Sequence, residues 1–198
     1  MNRRLPRSPL PVSNPTHIFL RNVPQCTTPG DIRRALMRAE IKGVADVSRL
    51  YKHFRPQKKV IVTMTMPDYT PDALRAAKDV HILSSPLDVD VVHDRDVILT
   101  SDPKYGDGPS AGVVPGRTVT LAGLPGRSTY AHVRQLLKGF EFEKIIAVPL
   151  EQKKFSLYSR FAIEMASESE AQRLVRRLHM TPFKNVEDSP IMTAKVIY

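Results

Sequence analysis

The sequence predicts an α+β protein built from two similar domains, and an internal repeat carries most of that prediction. Residues 18–24, Ile-Phe-Leu-Arg-Asn-Val-Pro, are matched 101 residues later by residues 119–125, Val-Thr-Leu-Ala-Gly-Leu-Pro. The same offset relates Phe54 to Phe155 and Met64 to Met165, without a net insertion. Two copies of about 75–80 residues predict two small domains, because a solenoid needs at least three units to bury its faces.

Each copy shows the same order of predicted elements. In the first copy, residues 17–23 alternate apolar with other residues and stop at Pro24, as a strand does. A helix begins at Thr28-Pro29-Gly30-Asp31, which offers an N-cap, a proline at the first helical position and an acid in the first turn. The later elements are a strand over 44–51, a basic loop over 52–59, a strand over 59–66, a helix over 72–80 and a strand over 87–92.

In the second copy, the corresponding segments are 118–124, 129–138, 144–150, 159–165, 168–178 and 191–198. The order strand-helix-strand-strand-helix-strand predicts two ferredoxin-like βαββαβ domains joined by a linker. We divide the chain into a basic, Pro-rich tail (1–15), a first domain (16–92), a Gly/Pro-rich linker (93–116) and a second domain (117–198). The composition of the linker predicts two separately packed domains.

Both copies are basic, whereas the stretch between them is not. The 198-residue chain has a formal net charge of +10. Residues 1–92 carry 15 Lys/Arg against 8 Asp/Glu, residues 117–198 carry 13 against 8, and the segment between them carries 2 against 4. Such a distribution favours an acidic partner such as nucleic acid, although a solvated face that keeps the protein soluble gives the same count.

With this element order, the chain resembles a tandem RNA-recognition-motif protein. Residues 18–24 match in full the family's first-strand pattern of apolar, aromatic, apolar, any, Asn, apolar and Pro. In the second copy, residues 159–165 stand where the family's third-strand motif belongs, and Glu170-Ala171 follow at the spacing of the second helix. The resemblance implies a four-stranded sheet with one face on the helices and one face open to RNA, where aromatic side chains stack on bases.

The third-strand motifs are degenerate in this chain. Strand alternation places Phe19 on the open face of the first sheet with Ile61 opposite, which leaves one aromatic where the family pattern asks for three. The outward positions of the second sheet are Thr120, Ala122, Arg160, Ala162 and Glu164. Because each stacked base is worth about 1–3 kcal/mol, we expect the second sheet not to bind single-stranded RNA in the family's usual way.

Ten residues are predicted to contact RNA. They are Phe19 and Arg21 on the first strand, Lys52, Arg55, Lys58 and Lys59 in the basic loop between the second and third strands, Lys153, Lys154 and Arg160 in the equivalent connection of the second domain, and Lys195 on the last strand. Cations in these loops suit a phosphate backbone and read no sequence. Phe54, Phe155 and Tyr158 lie among them, and either stack on bases or pack the loops against their own domains.

No catalytic residue, metal site or cofactor is predicted. The six histidines are scattered without metal-ligand spacing, and Cys26 is the one cysteine of the chain. The sequence contains no Gly-rich phosphate loop and no paired-carboxylate constellation in a suitable context. No apolar run approaches the roughly 20 residues that span a bilayer, so a membrane is not an expected partner.

These patterns predict a non-catalytic RNA-binding adapter that acts within a larger ribonucleoprotein, such as a ribosome or an RNA-processing complex, with RNA and other proteins as partners. The alternative is a protein-interaction module that uses degenerate domains as a scaffold. A single cysteine favours an intracellular location. The basic first 30 residues, which contain no acid, favour the mitochondrion over the nucleus or cytoplasm.

Overall fold

The computed structural model describes residues 15–92, 107–148, 157–183 and 189–198. In the first half, the strands are β1 (His17–Arg21), β2 (Val44–Lys52), β3 (Arg55–Met64), β4 (His81–Ile82), β5 (Ser85–Pro86) and β6 (Asp88–Val92). The helices of this half are α1 (Pro29–Arg38) and α2 (Thr70–Ala77), and a 3₁₀ turn over Pro67–Tyr69 precedes α2.

The second half repeats this order. Its strands are β7 (Thr118–Pro125), β8 (Phe142–Ala147), β9 (Tyr158–Met165) and β10 (Thr193–Val196), and its helices are α3 (Tyr130–Leu136) and α4 (Glu168–Leu178). A 3₁₀ turn over Pro109–Ala111 lies between the halves.

The two main sheets confirm the predicted fold class. Both are antiparallel and four-stranded, with the orders β2-β3-β1-β6 and β10-β7-β9-β8. Each therefore has its first and third strands in the centre and its second and fourth strands at the edges. Together with the element order, this arrangement gives two ferredoxin-like βαββαβ domains.

Helix α1 shows how the local sequence sets an element. Thr28 is the N-cap, its hydroxyl accepts a hydrogen bond from the Asp31 amide, and the Asp31 carboxylate accepts from the Thr28 amide in return. These bonds to Thr28 lower the pKa of Asp31, and a smaller contribution from Arg34 acts in the same direction. The helix buries Ile32 and Leu36 in the core of the first domain, and so fixes the sheet's other face as the open one.

The predicted basic loop over 52–59 is wrong. Strand β2 runs to Lys52 and β3 begins at Arg55, so only His53 and Phe54 form the turn. Both turn residues have positive φ angles, 51° and 57°. This is the backbone of a tight two-residue hairpin, in which both central residues are left-handed. We call the connected pair β2–β3 the long hairpin.

The two halves share a core. A cluster of buried residues contains Tyr51 and Phe54 from the long hairpin together with Val113, Val148, Ala162 and Ile197, which lie outside the first domain. Each half also has a core of its own, as expected for two packed domains, but this third cluster, which the sequence does not predict, joins them. Of the predicted linker, residues 93–106 lie outside the described part of the chain, and Val113 joins this shared core.

Candidate nucleic-acid interface

The open face of the first sheet is centred on Phe19. Its register neighbours are Ile61 on β3 and Asp90 on β6, and its side chain is half-buried. The guanidinium carbon of Arg21 lies 5.3 Å from the ring centroid, and the ammonium nitrogen of Lys59 lies 6.0 Å from it. An aromatic ring with two cations around it suits a ligand that combines flat bases with negative charge.

This face has opposite charges on its two sides. Arg21 forms an ion pair with Asp90 on the edge strand β6, with 2.9 Å between Nη2 and the carboxylate oxygen, and Asp88 is the register neighbour of Arg21. On the other side of β1, Lys59 is exposed on β3 and is the register neighbour of Arg21. A phosphate backbone is therefore repelled at β6 and attracted along β3.

Ile61 lies on the same face of the sheet as Phe19 but is only 4% exposed. Its sequence neighbours Val60 and Val62 lie on the opposite face, in the core of the first domain. The open face thus offers the half-buried ring and the charges around it as its main contact groups.

The tip of the long hairpin contacts the second half of the protein through its backbone. The Asp107 carboxylate accepts hydrogen bonds from the amides of both His53 and Phe54. The His53 carbonyl accepts from Arg160, with 2.8 Å to Nη1, and the Phe54 carbonyl accepts from the Thr120 hydroxyl at 2.5 Å. All four polar backbone groups of the turn are satisfied by side chains from outside the first domain, which stabilises two residues in an unfavourable conformation.

The side chain of Phe54 is buried against the face of the second sheet that was predicted to be open. It belongs to the same buried cluster as Ala162, whose register partner is Thr120, and both of these side chains are short. Tyr51 lies in the same cluster, and its hydroxyl donates to the Tyr198 carbonyl and accepts from the Tyr198 amide, both at 2.8 Å. The long hairpin therefore covers the centre of the second sheet.

Arg160, which is predicted to contact RNA, has a hydrogen-bond partner within the protein. Its guanidinium is bonded to His53 and half-buried, and burial lowers its pKa, with the charge of Arg55 acting in the same direction. Asp107 opposes that shift. Arg160 thus contributes to the contact between the two domains.

Arg55 and Lys195, which are 140 residues apart in the sequence, line one cleft between the domains. The interdomain cleft has a volume of about 250 Å³ and is lined by Gln25, Phe54, Arg55, Pro56, Thr120, Ala122, Thr193 and Lys195. Lys52 is exposed at the end of β2. Lys153, Lys154 and Phe155 lie outside the described residues.

Two residues that organise this region have no clear signal in the sequence. Arg49 is 4% exposed and donates to the carbonyls of Pro24, Gln25 and Thr27 in the segment between β1 and α1, while burial lowers its pKa. Gly108 lies so close to Tyr51 that a Cβ atom would come within 2.4 Å of the ring. The Gly-Asp-Gly sequence at 106–108 resembles an ordinary linker, yet its aspartate caps the hairpin and its second glycine admits the tyrosine.

A second basic surface lies on the helical side of the second domain. The guanidinium carbons of Arg173 and Arg177 on α4 lie 4.7 Å and 5.4 Å from the ring centroid of Phe140. Arg173 also forms an ion pair with Glu170, which neutralises part of this charge.

Within the described ranges, no group of three or more His, Cys, Asp or Glu side chains is arranged to hold a metal ion. In the same part of the chain, no helix is both long and apolar enough to cross a membrane.

The sequence matches no protein-family model and no curated protein. Similar solved structures include Sex-lethal RNA recognition domains 1 and 2 from Drosophila melanogaster, with 12% identity and a TM-score of 0.35 over 91% of this chain and 98% of that chain. The N-terminal three RNA-binding domains of the yeast splicing factor Prp24 are 15% identical, with a TM-score of 0.33 over 92% and 66% of the two chains. The Mip6 RRM3 domain covers 42% of this chain at 10% identity, with a TM-score of 0.35.

At these identities and TM-scores the likenesses add no argument, and the fold assignment rests on the two sheet orders. The chain is a tandem of two ferredoxin-like βαββαβ domains, in which the long hairpin of the first domain covers the sheet of the second.

Proposed function

We propose that the protein binds single-stranded RNA on the open face of the first sheet, with Phe19 as the stacking platform. The observation that carries this proposal is the half-buried Phe19 ring with Arg21 and Lys59 5.3 and 6.0 Å from its centroid. A base stacks on the ring while its phosphates contact the cations on the β3 side. With a single ring on this face, backbone charge contributes most of the affinity and sequence preference is weak.

The test compares Phe19→Leu with Phe19→Tyr in fluorescence anisotropy with a labelled oligouridine at fixed salt. Leucine keeps an apolar side chain without a π face, so we expect the dissociation constant to rise about 5- to 150-fold, which corresponds to one lost stack of about 1–3 kcal/mol. Tyrosine keeps the ring and should bind like the wild type.

Tyr130→Leu is the matched control, because it removes an exposed aromatic ring from α3, outside the first sheet. Equal affinities for wild type and Phe19→Leu, or tight binding that does not depend on salt, would contradict the proposal. The second result would favour protein docking instead.

We further propose that the protein acts as an adapter within a larger ribonucleoprotein in the mitochondrion. The basic surface of α4 around Phe140 supports the adapter role because it offers charge to a second partner, and the basic, acid-free first 30 residues support the mitochondrial location. Crosslinking the protein to RNA in fractionated cells and sequencing the bound RNA tests both points. Recovery of the protein free of RNA, or from another compartment, would contradict them.

A further inference from the structure

We propose that the exposed side of α4 is a docking surface for an acidic helical segment of a partner protein, with Arg173, Arg176 and Arg177 as its contact groups. This inference rests on the proposed adapter role and names the chemistry of the protein that the adapter binds. The surface belongs to the second domain, whereas the proposed RNA platform lies on the first.

Helix α4 has a buried side and a basic, exposed side. Its buried residues, which pack into the core of the second domain, are Ala171, Leu174 and Leu178. Its arginines Arg173, Arg176 and Arg177 are all exposed. Because their spacing is i, i+3 and i+4, the three arginines share one side of the helix within about 6 Å along its axis.

The ring of Phe140 holds two of these arginines in place. The guanidinium carbons of Arg173 and Arg177 lie 4.7 Å and 5.4 Å from its centroid, and Phe140 itself is only 8% exposed. Nη2 of Arg173 also donates to the Gly139 carbonyl at 2.6 Å and to the Glu170 carboxylate at 2.7 Å. Side chains that are ordered in the free protein lose less conformational entropy when a partner binds.

The exposed side of α4 carries more positive charge than its neighbouring acid neutralises. Glu170 is paired with Arg173, and the Glu170 side chain is only 17% exposed. Among the described residues, neither Arg176 nor Arg177 forms an ion pair. Two exposed guanidinium groups without counter-charges favour a ligand with carboxylates, which the planar fork of each arginine binds with two parallel hydrogen bonds.

The distribution of charge along α4 favours a protein over an RNA strand. Glu168 and Glu170 lie in the first turn of the helix, and Arg176 and Arg177 lie in the last. A phosphate backbone carries a negative charge at every nucleotide, so it is attracted to one end of α4 and repelled at the other. A protein helix can match both ends, because its side chains differ in charge from one position to the next.

An exposed methionine follows the arginines closely in the chain. Met180 comes three residues after Arg177 and is 61% exposed. Its amide donates to the Met192 carbonyl, which fixes its backbone at the end of α4. Because methionine side chains adapt to apolar partners, this residue can add an apolar contact to the ionic ones.

The experiment measures fluorescence anisotropy of three labelled, Ala-rich helical peptides with the full chain in about 0.1 M salt. The first peptide has glutamates at i, i+3, i+4 and i+7, which places them on one side of its helix. The second has the same composition with the glutamates spread around the helix, and the third has glutamine in place of every glutamate. The first peptide should bind most tightly, and the third should not bind.

The Arg176→Gln/Arg177→Gln double variant should weaken binding of the first peptide. Each lost ion pair at an exposed site is worth about twofold to fivefold, so we expect the dissociation constant to rise about 4- to 25-fold. The Arg176→Lys/Arg177→Lys double variant keeps both charges but loses the planar forks. It should bind the first peptide with an affinity between those of the wild type and the glutamine variant.

Arg38→Gln/Lys42→Gln is the charge-matched control, because it removes two exposed cations at and after the end of α1 in the first domain. It should bind the first peptide like the wild type. Thermal unfolding of every variant shows whether the fold is kept. Equal losses in the two glutamine variants, or equal affinities for the first and second peptides, would show attraction by net charge alone and overturn the inference.

An RNA hairpin and a labelled oligouridine are measured with the same proteins. If the Arg176→Gln/Arg177→Gln variant binds the RNA hairpin more weakly but the first peptide normally, the surface contacts RNA and the inference is overturned. If Phe19→Leu weakens the oligouridine while no peptide binds, the inference fails and the RNA platform stands. If Phe19→Leu has no effect while the first peptide binds through the α4 arginines, the RNA platform fails and the docking surface stands.

Discussion

At the scale of single residues, the contact between the domains depends on one large side chain meeting two small ones. Phe54 lies against Ala162 and Thr120, a register pair in the centre of the second sheet. The second sheet therefore has short side chains at its contact with the long hairpin, in place of the aromatics whose absence predicts weak RNA binding by this sheet.

Tyr51 leads to a prediction about pH. It is 3% exposed, and its burial raises the pKa of its phenol. The folded protein therefore holds the phenol proton of Tyr51 more tightly than the unfolded chain does. The stability that this proton contributes is complete below the unfolded pKa of about 10, and it is lost as the pH rises through the folded pKa. We expect the free energy of unfolding to fall above about pH 10 in the wild type and to fall less in Tyr51→Phe.

Urea unfolding of both proteins between about pH 8 and pH 11 measures this difference. At the lower pH, Tyr51→Phe should be less stable by about 1–3 kcal/mol, because the Tyr198 amide loses its partner. Parallel pH profiles for the two proteins would show that the phenol stays neutral in both states over this range.

At the scale of secondary-structure elements, the long hairpin is a local structure that its own sequence does not favour. A two-residue turn with positive φ at both positions prefers Asn-Gly, whereas this turn is His53-Phe54. The conformation is held by acceptors and donors on Asp107, Thr120 and Arg160. Removing any of these side chains leaves a backbone group of the turn unpaired.

We therefore expect Asp107→Ala to lower the free energy of unfolding by about 1–3 kcal/mol, since two turn amides lose their acceptor. Asp72→Ala removes the same charge from a side chain that is 83% exposed and should cost no more than about 0.5 kcal/mol. Urea unfolding of the two variants gives the comparison. Similar losses for both would mean that the carboxylate contributes through net charge alone.

At the scale of the whole molecule, the shared cluster couples the two domains. Each domain has its own core, and the third cluster joins the long hairpin, Val113 and the second sheet into one body. Only one of the two sheets then presents its centre to a ligand. The cations of both domains converge on the interdomain cleft between them.

This coupling predicts that the two domains unfold together. The sequence contains no tryptophan, so Met37→Trp on α1 and Met180→Trp after α4, both at exposed positions, provide one fluorescent reporter for each domain. The two urea transitions should coincide, and adding Phe54→Ala, which removes about 3–5 kcal/mol of packing, should separate them. Two separate urea transitions in the proteins that keep Phe54 would show that the two domains unfold independently.

The sequence alone determines the fold of each half and the placement of Phe19 on the open face of the first sheet. The repeat, the strand alternation around Phe19 and the N-cap at Thr28 are local patterns, and the structure confirms the elements that they predict. The basic loop was wrong because a hairpin with two left-handed residues and no glycine has no local signal. The packing of one domain on the other is decided by tertiary structure, since Phe54, Asp107 and Thr120 come together only after both domains fold. The burial of the Phe54 ring and the pairing of the four backbone groups of the turn depend on residues that are far apart in the sequence, so no local sequence pattern predicts them.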